Sequence, residues 1–128
     1  MRLLLDTHAL LWWIFDSADL PATSRAAIAD ADNEALVSSA SGWEIATKHR
    51  LGKLPEADDV VGRLPFYLRR GRLEGLPISL EHALAAGGLP GPHRDPFDRM
   101  LIAQARLEEL TVVTRDRVFR DYGVPTLW

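Results

Sequence analysis

Asp6, Glu44, Asp95, Asp98 and Asp116 are the residues of this chain whose type and placing could do chemistry. Each lies near a point where an apolar run gives way to a helix start. Asp6 follows Leu3-Leu4-Leu5, Glu44 comes soon after Leu36-Val37-Ser38, and Asp116 follows Thr111-Val112-Val113-Thr114. Asp95 and Asp98 stand in His93-Arg94-Asp95-Pro96-Phe97-Asp98, ahead of the apolar-periodic segment Met100 to Leu110. If the runs are parallel strands, the acids collect at one edge of a sheet. Carboxylates gathered in this way hold a hard cation such as Mg²⁺. Two of them about 4 Å apart repel by ~4 kcal/mol at an effective dielectric near 20, so a cluster needs a cation or bound protons.

Each acid also has a structural role open to it. Asp6 and Asp116 can cap the helices that follow them. Ser41-Gly42-Trp43-Glu44 matches a capping box, and Glu44 with Lys48 has the i,i+4 spacing of a solvent-exposed ion pair. Asp95-Pro96 reads as a cap with proline at the first helical position, which puts Asp98 at the third.

The elements that must position these acids alternate along the chain. Leu3 to Leu5 reads as a buried strand, followed by helices from about Thr7 to Phe15 and Thr23 to Ala31. A strand over Ala35 to Ser38 leads to a helix over Ser41 to Leu51. The helical pattern of Asp58 to Arg70 contains Pro65, which predicts a kink or two shorter helices. Leu76 to Ser79 reads as a strand, Leu80 to Ala86 as a short helix, and Gly87-Gly88-Leu89-Pro90-Gly91-Pro92 as a loop. A helix from Pro96 to Glu109, a strand over Thr111 to Thr114, a short helix near Arg117 to Asp121 and a strand around Val124 to Leu127 complete the pattern. Short strands alternating with helices predict an α/β fold with a parallel sheet, whose ligands bind beyond the carboxyl ends of the strands.

At 128 residues, with no linker or repeat, the chain reads as one domain over 1–128 with a single buried core. Its 47% hydrophobic and 26% charged residues are those of an ordinary globular protein, and no apolar stretch is long enough to span a bilayer. Asp6 interrupts the apolar start that would otherwise suggest a signal peptide. The absence of cysteine excludes disulfides and thiolate metal sites and fits a cytoplasmic location. His8, His49, His82 and His93 lack zinc-ligand spacing, although His93 adjoins the acids and could assist proton transfer. The sequence has no phosphate-cradling glycine motif and no GxSxG nucleophile setting. The net charge of -3 gives no overall attraction to nucleic acid, but thirteen of the fifteen basic residues are arginines, which suit bidentate phosphate contacts. They cluster at Arg69/Arg70/Arg72, Arg94/Arg99 and Arg115/Arg117/Arg120. The run Leu10-Leu11-Trp12-Trp13-Ile14-Phe15 is apolar nearly all round, which predicts deep core or a face against a second subunit.

The ordered set of motifs resembles a PIN domain, and specifically the VapC-type toxins of bacterial toxin–antitoxin pairs. The resemblance is carried by Leu4-Leu5-Asp6-Thr7-His8, Ser38-x-x-Ser41-x-Trp43-Glu44-Ile45 with Lys48, and Leu51-Gly52-Lys53-Leu54. It continues in the long run His93 to Ala105 and in Val113-Thr114-Arg115-Asp116, so it covers essentially the whole chain. It implies a Rossmann-like fold, a short parallel sheet flanked by helices on both faces. It also implies an Mg²⁺- or Mn²⁺-dependent endoribonuclease that acts on RNA such as tRNA or rRNA, is inhibited by a small cognate VapB-like antitoxin, and forms a homodimer. Carried over by motif, Asp6, Glu44, Asp98 and Asp116 are its catalytic and metal-holding acids. Asp95, from the subgroup with the Asp-Pro-Phe-Asp pattern, is accessory, as are Thr7 and Thr114. Arg99, Arg115, Arg117 and Lys48 are candidate RNA or antitoxin contacts. Two alternatives stay open: an inactive PIN scaffold that binds RNA or protein, and a haloacid-dehalogenase-like phosphatase. The latter wants a second Asp two positions after the first, where this chain has His8.

Overall fold

The computed structural model describes residues 1–128. Five parallel strands, β1 (Arg2–Leu5), β2 (Glu34–Ser38), β3 (Glu74–Leu76), β4 (Thr111–Val113) and β5 (Thr126–Leu127), lie in the order β3-β2-β1-β4-β5. Seven helices connect them: α1 (Thr7–Ile14), α2 (Ala22–Ala29), α3 (Ser39–Arg50), α4 (Asp58–Arg70), α5 (Leu80–Gly88), α6 (Pro96–Leu107) and α7 (Val118–Asp121). A 3₁₀ turn, Pro55–Ala57, precedes α4.

The period-2 alternation of side chains along each strand divides the core in two. Leu3 and Leu5 of β1, Ala35 and Val37 of β2 and Val113 of β4 pack with Leu10, Leu11, Ile28 and Val60 on one face. Leu4, Leu36 and Val112 pack with Leu101, Ile102, Ala105 and Phe119 on the other. Leu3, Leu4 and Leu5 are all completely buried, which explains why β1 reads as an unbroken apolar run rather than an alternating one. Burying each contributes about 1.5–3 kcal/mol.

The strand order reverses direction at β1: the chain moves outward to β2 and β3, then crosses back to β4 on the opposite side. Ligand crevices in open α/β sheets form at such a switch point, beyond the carboxyl ends of the strands. Asp6 ends β1 there, and its backbone N–H donates to the Val113 carbonyl at 3.2 Å.

Local details differ from the sequence expectation in three places. Helix α3 begins at Ser39 with Ser38 as its cap, accepting from Ala40 N at 3.0 Å, so Ser41 is not a cap and forms no capping box with Glu44. Strand β2 runs into α3 with no intervening loop, which brings the cap back to the last strand residue. A capping box occurs instead between Ser79 and His82. Strand β3 lies at Glu74–Leu76 rather than Leu76 to Ser79, because Pro77 has no N–H to give to a ladder. Helix α5 continues through Gly87 and Gly88, placing its end two residues beyond the expected helix end at Ala86. The kink expected in α4 from Pro65 is present, at Arg63 with φ -136°, two residues before the proline.

Candidate active site

Four elements deliver carboxylates to one cleft of about 490 Å³ at the carboxyl edge of the sheet. Its lining includes Asp6, Glu44, Asp95, Asp98 and Asp116. Asp6 arrives at the end of β1 and caps α1, its Oδ1 accepting from Ala9 N at 2.8 Å. The buried Thr114 hydroxyl, just after β4, favours the charged form of the Asp6 carboxylate. Burial pushes the Asp6 carboxyl above its ordinary value, against the hydrogen bonds from Thr114 and Ala9 and the nearby His8, while the charge of Asp116 adds to the rise.

Glu44 lies one and a half turns into α3 with its side chain turned inward, only 6% exposed. Thr7 Oγ1 donates to its Oε1 at 2.6 Å and stands 3.1 Å from Ser41 Oγ. Lys48 donates to Oε2. The i,i+4 pair expected on a solvated surface therefore forms in the wall of the cleft. Burial lowers the Lys48 ammonium, but the hydrogen bond to Glu44 and the charges of Glu44, Asp95 and Asp98 outweigh it, so its pKa is raised overall.

Asp95 caps α6, accepting from Phe97 N at 2.9 Å and Asp98 N at 3.0 Å, with Pro96 at the first helical position. That geometry holds Asp98 at the cleft, where its Oδ2 lies 2.9 Å from His93 Nε2. Burial raises the Asp98 carboxyl, His93 opposes the rise, and the charges of Asp95 and Asp116 reinforce it. Asp116 is exposed; its N–H donates to Thr114 Oγ1 and its Oδ1 accepts from Val118 N, each at 3.0 Å.

Arg115, Arg117 and Lys48 line the same cleft, whereas Arg99 is directed elsewhere. Its guanidinium donates to the carbonyls of His93 at 3.0 Å and Leu89 at 2.6 Å, with Gly87 at 3.4 Å. Arg99 therefore ties the loop before α6 to the end of α5, and it is a positioning residue rather than a free phosphate ligand. His8, Trp12 and Trp128 also line the cleft, although the sequence did not mark them as site residues. Trp12 is half-buried at the rim, not in deep core. The signal available for it was its i,i+4 relation to His8 on the helix that Asp6 caps.

Acidic oxygens dominate this cleft, and burial and neighbouring charge resist the ionisation of Asp6 and Asp98, a combination that suits a hard divalent cation. No three His, Asp or Glu side chains stand close enough to cage an ion by themselves. Mg²⁺ keeps several waters and takes one or two carboxylates directly, so the residues present fit it without a closed cage.

The sequence pattern of the PIN domain matches residues 3–125. The chain belongs to the PIN-domain family. Ribonuclease VapC22 of Mycobacterium tuberculosis (strain ATCC 25618 / H37Rv) is 30% identical to this PIN domain over 130 residues, covering 98% of this chain and 97% of that protein. Ribonuclease VapC16 of the same strain is 40% identical over 70 residues, 55% of this chain and 48% of that relative, so this second match spans about half of its length. Among solved structures, VapBC2 from Rickettsia felis bound to a DNA fragment from their promoter superposes with a TM-score of 0.72 at 20% identity, over 99% of this chain and 98% of that one. The fold is thus the PIN fold and the chain is of the VapC type. The haloacid-dehalogenase-like alternative falls away with that membership.

Proposed function

We propose that this PIN domain is a metal-dependent endoribonuclease, the toxin of a toxin–antitoxin pair. The observation that carries the reading is the convergence of carboxylates from β1, α3, α6 and the segment after β4 on one cleft, with the Lys48 ammonium beside them. The likeness to ribonucleases VapC22 and VapC16 supports RNA as the substrate. The likeness to a VapBC2 complex supports a cognate antitoxin as the partner that restrains it.

In this reading Asp6, Asp98, Asp116 and Glu44 would together hold Mg²⁺ or Mn²⁺, one or two of them directly and the others through its waters. The ion, when bound, supplies neutralising charge at the phosphate and a water of lowered pKa. The remaining work belongs to the chain's own groups. Thr7 and Lys48 fix both oxygens of Glu44, so its carboxylate faces the substrate in one orientation. Thr114 fixes the backbone at Asp116. His93 Nε2 can carry a proton to or from the reacting groups next to Asp98. Lys48, Arg115 and Arg117 offer positive charge to the phosphates flanking the cut.

A second copy of the chain is the proposed occupant of a separate apolar face. Trp43, Leu80 and Leu84 are 61%, 77% and 70% exposed there, and Trp43 packs edge-on to Phe97 at 4.9 Å. Large exposed apolar side chains, two of them four residues apart on α5, mark an interaction site, and self-association is the simplest way to cover them.

Incubating purified protein with mixed RNA in Mg²⁺, Mn²⁺ or a chelator tests the reading. Cleavage that appears with either ion and stops with the chelator is the expected result. RNA binding without any metal-dependent cleavage would instead make the chain a binding scaffold.

A further inference from the structure

One wall of the cleft, beside the acids, has a different character. Trp12 and Trp128 are half-buried, packing against the core with one part of their surface and lining the cleft with another. Their rings stand 5.7 Å apart at 55°. The Arg115 guanidinium carbon lies 4.9 Å over the Trp12 ring, and His8 is 5.5 Å from it. Cleft-lining indole surface among charged groups serves no purpose in the phosphate chemistry assigned to the acids. It is, however, what a flat, uncharged ring system stacks on.

The wall and the acidic centre are fixed to each other by two elements. Asp6 caps α1, and Trp12 follows it by six residues, about 9 Å along the axis at 1.5 Å per residue. Arg115 directly precedes Asp116 in the chain. A substrate whose phosphate faces the acids therefore has its neighbouring nucleotide beside the indoles. Arg115 and Arg117 are both exposed and join no ion pair within the chain, which leaves them available to phosphates and unfavourable to a basic peptide.

We propose that Arg115, Trp12 and Trp128 form a nucleobase-stacking subsite that takes an unpaired base of the RNA next to the phosphate under attack. This rests on the ribonuclease reading and adds to it a preference for splayed-out or single-stranded nucleotides. Aromatic rings and guanidinium planes stack on any base, so the subsite selects for unpairing and not for sequence. Duplex RNA, whose bases are already stacked on each other, is excluded from it.

The test uses a single-stranded oligoribonucleotide whose Mn²⁺-dependent cleavage point has been mapped, with an abasic residue placed on either side of that point in turn. One of the two abasic positions should lower kcat/KM of the wild type by about 10-fold or more, chiefly through KM. Trp128→Leu and Arg115→Ala should show a comparable loss on the intact oligonucleotide, and the abasic residue should then add little, as coupled partners do. An equal abasic penalty in wild type and both variants overturns the proposal, as does no penalty at all. Unchanged kinetics in the variants together with lost antitoxin binding would assign the wall to protein docking and overturn it as well. Arg115→Ala removes an exposed side chain and keeps the test decisive if Trp128→Leu does not fold. Should the wild type cut no RNA with any cation, the ribonuclease reading fails. Stacking is then judged separately, by whether the oligonucleotide quenches tryptophan fluorescence more strongly in the wild type than in Trp128→Leu.

Discussion

Asp6 serves the fold and the chemistry with one carboxylate: Oδ1 caps α1, while the group as a whole is buried at the cleft and resists ionisation. A carboxyl raised in the folded state holds its proton more tightly there. Its stabilising contribution is complete below the unfolded value and is lost as the pH rises through the raised folded value. Asp6→Asn keeps a capping acceptor and removes the ionisation. It should therefore melt above the wild type near neutral pH, and thermal melts should show that gap narrowing as the pH falls toward about 4. Asp98, raised by burial in the same way, adds to the same trend. Thr7→Val tests the support of Glu44: losing the 2.6 Å bond to a buried carboxylate should cost about 1.5–3 kcal/mol in denaturant unfolding. The same variant should slow RNA cleavage by about 10-fold or more if Glu44 must be held in place. Asp6 and Asp116 stood out in the sequence because each follows an apolar run, and Asp95 and Asp98 because they open an apolar-periodic helix. The orientation of Glu44 was not legible there, because its spacing to Lys48 is the same whether the pair faces water or the cleft.

At the scale of elements, the site depends on how tightly the segment between α5 and α6 is held. Arg99 binds the carbonyls of Gly87, Leu89 and His93, and Asp95 caps the helix that presents Asp98. Gly91, at φ +98°, passes so close to the Tyr122 hydroxyl that an added Cβ would lie 2.5 Å from it. Arg99→Met should lower stability by about 1.5–3 kcal/mol and reduce cleavage, with faster amide exchange at residues 91–95. A loss of cleavage with unchanged exchange would return Arg99 to direct substrate contact. Strand identity and order of elements were readable from apolar runs and their alternation with helical periodicity. Boundaries were less so. Ser38 serves at once as the last strand residue and the cap of α3, so no loop signal separates the two elements. Trp12 and Trp13 lie in a helix apolar nearly all round, and sequence alone could not say that Trp12 opens onto the cleft.

For the whole molecule, the reversal of strand order at β1 brings Asp6 and Asp116 together despite the length of chain between them. That long-range convergence was available from the fold class, because parallel strands put all their carboxyl ends on one edge. The aromatic wall beside the acids was not available, since it needs the chain near Trp128 laid against α1. No helix is long and apolar enough to cross a membrane. The exposed face bearing Trp43, Leu80 and Leu84 predicts self-association, and Leu84→Glu should shift sedimentation from dimer to monomer. Equal sedimentation of wild type and variant would remove that face from the assembly.

The proposed activity turns on the carboxylates acting together on RNA. Its most direct test is cleavage of RNA in Mn²⁺ by wild type and by Asp98→Asn, each shown by thermal melting to be folded. The predicted result is metal-dependent cleavage by the wild type and a loss of at least ~100-fold in the variant. Cleavage by Asp98→Asn at the wild-type rate, or wild-type cleavage that persists in excess chelator, would contradict it.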